Sequence, residues 1–160
     1  MGYCTEFEGE FTFDKPLDDA TYKLLLGLNE TRRVKRCIKG YGVEGELYIP
    51  QTNGQDPTEG EDHVMHANVP PRSQPSLWCG WKPTEDRRHL VWDGSGPFYN
   101  YVEWLEYLLR KVIVGAGYSL SGTVTWLGDD DDERDRGSIT AHGHYVSVKR
   151  EDGERLGFLR

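Results

Sequence analysis

The 160-residue sequence lacks any apolar segment of the roughly 18–20 residues that a transmembrane helix needs. It is also poor in cysteine: Cys4, Cys37 and Cys79 are far apart and form no CxxC motif. A disulfide-stabilised secreted domain has an even and denser set of cysteines, so this class is excluded. Residues 1–13 carry three glutamates and no basic stretch, unlike a secretory signal peptide. We therefore expect a cytoplasmic protein with reduced thiols.

Basic residues are in deficit as well. The 19 lysines and arginines stand against 27 aspartates and glutamates, which gives a net charge of −8 at pH 7. This charge argues against general nucleic-acid binding and against a membrane-surface protein, since both rely on excess positive charge. Aromatic residues make up 12% of the chain, more than is typical of disorder. Length and composition indicate one folded domain over residues 1–160, long enough to bury roughly 70% of its unfolded surface.

The hydrophobic pattern predicts two helices. Asp18 is a suitable N-cap for a helix that runs to about residue 29. A second helix is predicted over residues 98–113, with Pro97 as its first residue and Ser95 or Gly96 as its cap. Apolar residues in the second segment recur every three or four positions, which is typical of a helix with one buried side.

Alternating and short apolar segments predict strands, which lie at residues 5–13, 46–49, 77–82, 89–92, 118–127, 138–141 and 145–148. Residues 51–76 hold four of the eight prolines and show no period, so a long irregular surface loop is expected there. The charged tail from residue 150 is expected to fray. The order of elements predicts an α+β fold, with two helices packed on one face of a mostly antiparallel sheet.

Residues 78–107 hold four of the five tryptophans. One interpretation is packing between the long helix and the sheet, since aromatic stripes at helical spacing usually belong to a core. The other is a stacking surface for a base, a ring or a partner side chain. The candidate binding residues of this cluster are Trp78, Trp81, Trp92, Tyr99 and Tyr101. Tyr99 is the strongest candidate, because it lies off the apolar stripe.

A basic segment follows the first predicted helix. It contains three candidate binding residues, Arg32, Arg33 and Arg36. Arginine pairs with phosphate or carboxylate through its planar fork, but cations at a helix C-terminus are also ordinary solvated residues. The loop at residues 92–97 also has two interpretations. It is either an anion site at a helix N-terminus or a plain turn between a strand and a helix.

Catalytic and metal-binding patterns are missing. The sequence has no GxSxG, HExxH or phosphate-binding loop, and no cysteine pair at zinc spacing. The acidic run at residues 129–135 has Arg134 where a calcium loop has glycine. No cofactor, no metal and no catalytic residue is therefore expected, and binding is favoured over catalysis.

Several longer strings carry a family resemblance. They are residues 10–13 with 16–17, the basic segment 31–36, residues 78–81, residues 92–94 with 98–108, and residues 117–126 before the acidic run and Gly137. Together they resemble a family of small uncharacterised proteins encoded by bacteriophages and bacteria. The resemblance spans most of the chain outside residues 51–76 and brings no catalytic or binding residues. It implies an accessory protein that binds a host protein or sequesters a small molecule.

These observations predict a non-enzymatic binding domain of phage or prophage type. Its partner would be a small anionic, nucleotide-like ligand or a host protein, held by the aromatic cluster and the arginines. The alternative is a nucleotide-processing enzyme that uses the same face.

Overall fold

A computed structural model describes residues 4–50, 63–66, 68–128, 132–150 and 155–159. Within these ranges the helices are α1 (Asp19–Glu30) and α2 (Tyr101–Leu108), and a π-helical turn (Leu109–Ile113) continues α2. A short 3-10 turn covers Val43–Gly45. The strands are β1 (Glu6–Gly9), β2 (Phe11–Phe13), β3 (Lys35–Cys37), β4 (His63–His66), β5 (Trp81–Pro83), β6 (His89–Trp92), β7 (Leu120–Gly128), β8 (Asp132–Gly143), β9 (Val146–Arg150) and β10 (Arg155–Leu159).

One sheet forms most of the molecule. Its strands follow the order β10-β9-β8-β7-β2-β6-β5, and β1 also pairs with β7. β3 and β4 form a separate two-stranded sheet. The strand pairs in the described part of the chain are antiparallel. The predicted α+β class with a mostly antiparallel sheet is confirmed.

The core lies between the helices and one face of this sheet. Leu25 and Leu28 of α1 and Trp104, Leu105 and Leu108 of α2 belong to the same buried cluster as the inward-facing strand residues. Those strand residues alternate along each strand, because successive side chains of a strand point to opposite faces. They are Phe11, Phe13, Leu90, Leu120, Val124, Trp126, Ile139, Ala141, Val146 and Val148.

The single strand predicted over residues 5–13 is divided into β1 and β2, which pair with successive parts of β7. Gly9 precedes the break with φ of +107°, a region that favours glycine. A Cβ on Gly9 would lie 2.7 Å from the carbonyl oxygen of Thr123. The two backbones therefore approach too closely for another residue. Phe7, Phe11 and Phe13 are nevertheless buried on one side, as their alternation in the sequence predicts.

The first helix begins where its cap was predicted. Asp18 has extended backbone, and its Oδ1 accepts a hydrogen bond of 2.7 Å from the Thr21 amide. That hydrogen bond holds the pKa of the Asp18 carboxyl below its usual value. The side chain thus satisfies one of the amides that a helix N-terminus leaves open.

We expect Asp18→Ala to lower Tm by about 2–4 °C, because alanine cannot accept the Thr21 amide hydrogen. Thermal unfolding followed by circular dichroism measures the change. Asp18→Asn is the matched control and should retain most of the stability, since asparagine caps helices as well as aspartate does. Equal losses in the two variants would contradict the capping role.

The second helix begins later than predicted. Asn100 precedes α2 with φ of +59°, a left-handed conformation that a helix cannot pass through. Residues 97 and 98 therefore have no regular structure, residues 99 and 100 form a turn, and neither Ser95 nor Gly96 caps the helix. Phe98 is buried directly before that turn, and a Cβ on Gly80 would lie 2.5 Å from its ring. Packing of this ring holds the chain away from helical geometry.

The strand predicted over residues 46–49 is wrong. Residues 46 and 47 belong to a turn after the 3-10 segment, and residues 48–50 have no regular structure. Tyr48 is buried, and the guanidinium of Arg36 lies over its ring at 4.7 Å from the centroid. The buried aromatic residue of this segment therefore packs against an arginine and does not take part in a sheet.

Two predicted irregular segments contain regular or buried structure. In the segment 51–76, residues 51–62 and 67 lie outside the described residues, whereas residues 63–66 form β4. Gln74 is buried, and its Nε2 donates to the carbonyl oxygen of Glu46 at 2.6 Å and to the Tyr107 hydroxyl at 3.0 Å. In the tail expected to fray from residue 150, residues 155–159 form β10 on β9. Long-range hydrogen bonds of this kind leave no local pattern in the sequence.

Candidate functional site

The arginines of the predicted site do not lie together on a surface. Arg33 and Arg36 are 0% and 1% exposed. Nη2 of Arg33 donates to the carbonyl oxygens of Glu46 at 3.0 Å and Gly45 at 3.3 Å. These two side chains organise the segment around the 3-10 turn and are not accessible to a ligand. Arg32 is partly exposed, and its Nη2 donates to Oδ1 of Asn68 at 2.9 Å.

The predicted aromatic cluster is divided between core and surface. Trp81 is fully buried, and its Nε1 donates to the carbonyl oxygen of Tyr101 at 2.8 Å. Trp92 and Tyr101 are partly buried, with ring centroids 5.3 Å and 4.9 Å from that of Phe7. Edge-on and tilted contacts of this kind are typical of packed aromatic cores. Trp81 is therefore a core residue, for which the stacking interpretation is wrong, whereas Trp92 and Tyr101 pack against the core.

Trp78 and Tyr99 behave differently. Their exposed fractions are 50% and 53%, although tryptophan and tyrosine usually bury most of their surface. Both rings line one cavity of about 440 Å³, together with Asn68, Pro70, Pro75, Ser76, Leu77 and Pro97. We call this cavity the apolar cavity.

A second cavity of about 400 Å³ adjoins it. This cavity, which we call the Asp93 cavity, shares Trp78 and Pro97 with the apolar cavity. Its other lining residues are Asn29, Cys79, Gly80, Asp93, Ser95, Gly96 and Phe98. Each volume falls in the range of small-molecule sites, roughly 300–1,000 Å³. Trp78 stands between a largely apolar cavity and a more polar one.

Backbone contacts fix the segment that carries Trp78. The Arg33 amide donates to the carbonyl oxygen of Leu77 at 2.7 Å, and the Asp93 amide donates to that of Gly80 at 2.9 Å. Cys79 and Trp81 are buried on the core side. The flanking hydrogen bonds and these two buried side chains hold the segment so that the Trp78 ring remains exposed.

Tyr99 is held by the turn before α2. Its neighbour Phe98 is buried, so the next side chain along the turn projects outward. The Ser76 hydroxyl accepts a hydrogen bond of 2.8 Å from Nε1 of Trp104 and lies 3.4 Å from the carbonyl oxygen of Tyr99. These contacts join the two walls of the apolar cavity.

The floor of the Asp93 cavity is polar. Nδ2 of Asn29 donates to the carbonyl oxygen of Cys79 at 2.7 Å and to Oδ2 of Asp93 at 2.8 Å. Oδ1 of Asp93 accepts from the amide and the hydroxyl of Ser95 at 2.9 Å and 2.7 Å. The chain's own carboxylate therefore occupies the loop at residues 92–97. The anion-site interpretation of this loop is wrong, because its charge is negative and α2 starts later.

The thiol in this cavity is not a nucleophile at neutral pH. Burial raises the pKa of Cys79 to about 12, and the nearby Asp93 carboxylate acts in the same direction. A protonated thiol is a poor nucleophile. Of the described residues that line the two cavities, Asp93 alone carries a charge, and the arrangement is suited to binding.

Sequence reasoning missed Asn29 and Asn68 as site residues, and it considered the loop that contains Asp93 only as a possible anion site. Asn29 lies at the end of α1, 64 positions before Asp93, and no local pattern connects the two. The position of Asp93 directly after a strand, in a glycine-rich loop, is the one signal that the sequence offers.

Among the described residues, neither helix has the length and apolar composition that crossing a bilayer requires. In the same part of the chain, no three His, Cys, Asp or Glu side chains come together in a group that could hold a metal ion. No family model, curated protein or solved structure matches this chain.

Proposed function

We propose that this protein is a non-enzymatic binding protein that takes a small, planar, nucleotide-like ligand in the two cavities around Trp78. The observation that carries the proposal is the pair of half-exposed rings, Trp78 and Tyr99, on adjoining cavities of ligand size. Stacking of a base on an aromatic side chain contributes about 1–3 kcal/mol. The backbone that carries both rings is held by hydrogen bonds before any ligand arrives, so ordering of the backbone adds little cost to binding.

Charge along the site supports a ligand with one anionic end. Arg32 donates to Asn68, which lines the apolar cavity, so positive charge borders that side. Asp93 places negative charge in the other cavity. A nucleotide fits this polarity when its base lies by Asp93 and its phosphate points toward Arg32.

Binding is favoured over turnover of the same ligand. Nucleophilic catalysis needs an activated nucleophile with a base within hydrogen-bond reach. The Cys79 thiol is buried and protonated, and it donates to the carbonyl oxygen of Trp81 at 3.6 Å. The Asp93 carboxylate is engaged by Asn29 and Ser95.

The test is a thermal-shift screen of the full chain against nucleosides, nucleotides and cyclic nucleotides. A ligand at a hundredfold excess over its Kd stabilises the protein by about 2.7 kcal/mol, which raises Tm by about 5–10 °C. Chromatography of the mixtures should return the nucleotide unchanged. A shift with turnover would indicate the enzyme alternative, and no shift with any nucleotide would overturn the proposal in favour of a protein partner.

We expect Trp78→Ala to weaken the ligand found in that screen by roughly 5- to 150-fold, because one stacking surface is lost. Titration calorimetry measures the change. Tyr145→Ala is the matched control: this ring is also half exposed, but it stacks on His142 at the β8–β9 turn. Unchanged binding in Trp78→Ala, or an equal loss in Tyr145→Ala, would place the site elsewhere.

A further inference from the structure

The Asp93 cavity presents hydrogen-bond acceptors. Nδ2 of Asn29 uses both of its hydrogens on the Cys79 carbonyl and on Asp93. The polar atom that Asn29 has left for a ligand is therefore Oδ1, an acceptor. An ionised carboxylate has no hydrogen to donate, so the floor formed by Asn29 and Asp93 requires donors on the ligand.

Counting the hydrogen bonds from described residues, the carboxylate has one acceptor position left. A carboxylate accepts about four hydrogen bonds, two at each oxygen. Oδ1 of Asp93 already receives the amide and the hydroxyl of Ser95, whereas Oδ2 receives Asn29 Nδ2. The free position on Oδ2 and the free Oδ1 of Asn29 belong to directly hydrogen-bonded neighbours. Two acceptors therefore belong to hydrogen-bonded neighbours that line the same cavity as Trp78.

Resting on the proposed function, we infer that this cavity selects a base whose edge carries adjacent N–H donors, which among the common bases is guanine. Guanine offers its ring N1–H and its 2-amino group on neighbouring atoms, and these two donors match two neighbouring acceptors. The amino group of adenine is flanked by ring nitrogens that accept hydrogen bonds, and these would face the acceptors of the floor. Hydrogen bonds to a charged partner are the strong ones, so the match decides the choice of base.

The same charge sets the direction of the ligand. A phosphate in the Asp93 cavity would meet a carboxylate, and like charges at close range repel. The phosphate of a guanine nucleotide therefore points through the apolar cavity toward Asn68 and Arg32. Arg32→Gln should weaken a guanine nucleotide more than it weakens guanosine, and added salt should reduce that difference.

The base preference is tested by calorimetry with guanosine, inosine and adenosine on the full chain. Inosine keeps N1–H and lacks the 2-amino group, so it should bind about tenfold more weakly than guanosine. Adenosine should bind about a hundredfold more weakly or not detectably. Equal affinities for the three nucleosides would overturn the inference.

A pair of variants separates the role of the Asp93 carboxylate in base selection from a nonspecific effect of substitution on the protein. In Asp93→Asn the ratio of guanosine to inosine affinity should fall toward one, because an amide hydrogen replaces an acceptor. Asp86→Asn is the control, since Asp86 bonds Thr84 and Arg88 in an exposed turn, and it should leave the ratio unchanged. An unchanged ratio in folded Asp93→Asn would contradict the inference.

The two proposals fail in different ways. Binding of all bases with equal strength, abolished by Trp78→Ala, keeps the proposed function and rejects the guanine preference. No binding of any nucleoside or nucleotide rejects both.

Discussion

Trp81→Ala is expected to lower the free energy of unfolding by about 3–5 kcal/mol, the cost of removing a large buried aromatic side chain. The Trp81 ring is fully buried, and its centroid lies 5.3–5.5 Å from those of Phe7, Phe11 and Phe98. The substitution would leave a cavity among these rings. It also removes the donor for the carbonyl oxygen of Tyr101. The total free energy of unfolding of such a domain is about 5–15 kcal/mol, so this loss is a large part of it. Urea unfolding measures the change.

Trp78→Ala is the matched control, because the same side chain is removed only three positions away. Half of the Trp78 ring is exposed, so its loss should change the free energy of unfolding by no more than about 0.5–1 kcal/mol. Comparable losses in the two variants would show that Trp78 belongs to the core. Its stacking role, and the candidate site with it, would then be rejected.

Glu46→Ala is expected to lower the free energy of unfolding by about 3–5 kcal/mol, as the loss of one partner from a buried charged network does. The Glu46 carboxylate is 2% exposed and accepts hydrogen bonds from the Tyr107 hydroxyl at 2.7 Å and the Ser73 hydroxyl at 2.8 Å. It also accepts from the Val43 amide at 3.1 Å, and Lys111 Nζ lies 3.5 Å away. Alanine would leave the buried Tyr107 hydroxyl without this acceptor. Glu103→Ala, an exposed change on α2, is the control and should be nearly neutral.

The contribution of Glu46 should depend on pH in one direction. Burial, the largest single influence, would raise the pKa of this carboxyl, but the hydrogen bonds from Tyr107, Ser73 and the Val43 amide, together with the charge of Lys111, hold the pKa below its usual 4.5. A lowered pKa in the folded state stabilises the protein above the unfolded value, and this stabilisation is lost as the pH falls through the folded value. The difference in stability between the wild type and Glu46→Gln should therefore be constant near neutral pH and shrink below about pH 4.5. A difference that grows in acid would contradict the assignment.

Local signals predicted the local structure well. The Asp18 cap and the helix after it depend on residues within one turn, and the structure confirms both. The alternation of Phe7, Phe11 and Phe13 gave the buried side of β1 and β2 because strand periodicity is itself local. The α+β class follows from the order of such elements.

Long-range contacts decided the candidate site, and these left no trace in local patterns. Arg33 and Arg36 look like a solvated helix end, but the carbonyl groups of a distant turn and the Tyr48 ring bury them. Trp78 and Trp81 are the same residue type, three positions apart in the sequence. Only the packing of the fold makes the first a surface residue and the second a core residue. The Asn29–Asp93 hydrogen bond joins residues 64 positions apart.

The pairing of β1 and β2 with β7 also has a consequence during synthesis. Thr12 pairs with Ser121, 109 positions later in the chain. At roughly 5–20 residues per second, the first strands wait on the order of 5–20 s for their partner. Until β6 and then β7 have been made, their phenylalanines have no sheet to pack into, which makes the nascent segment prone to aggregation. Glu6, Glu8 and Glu10 on the opposite face supply the like charge that keeps such segments of neighbouring chains apart.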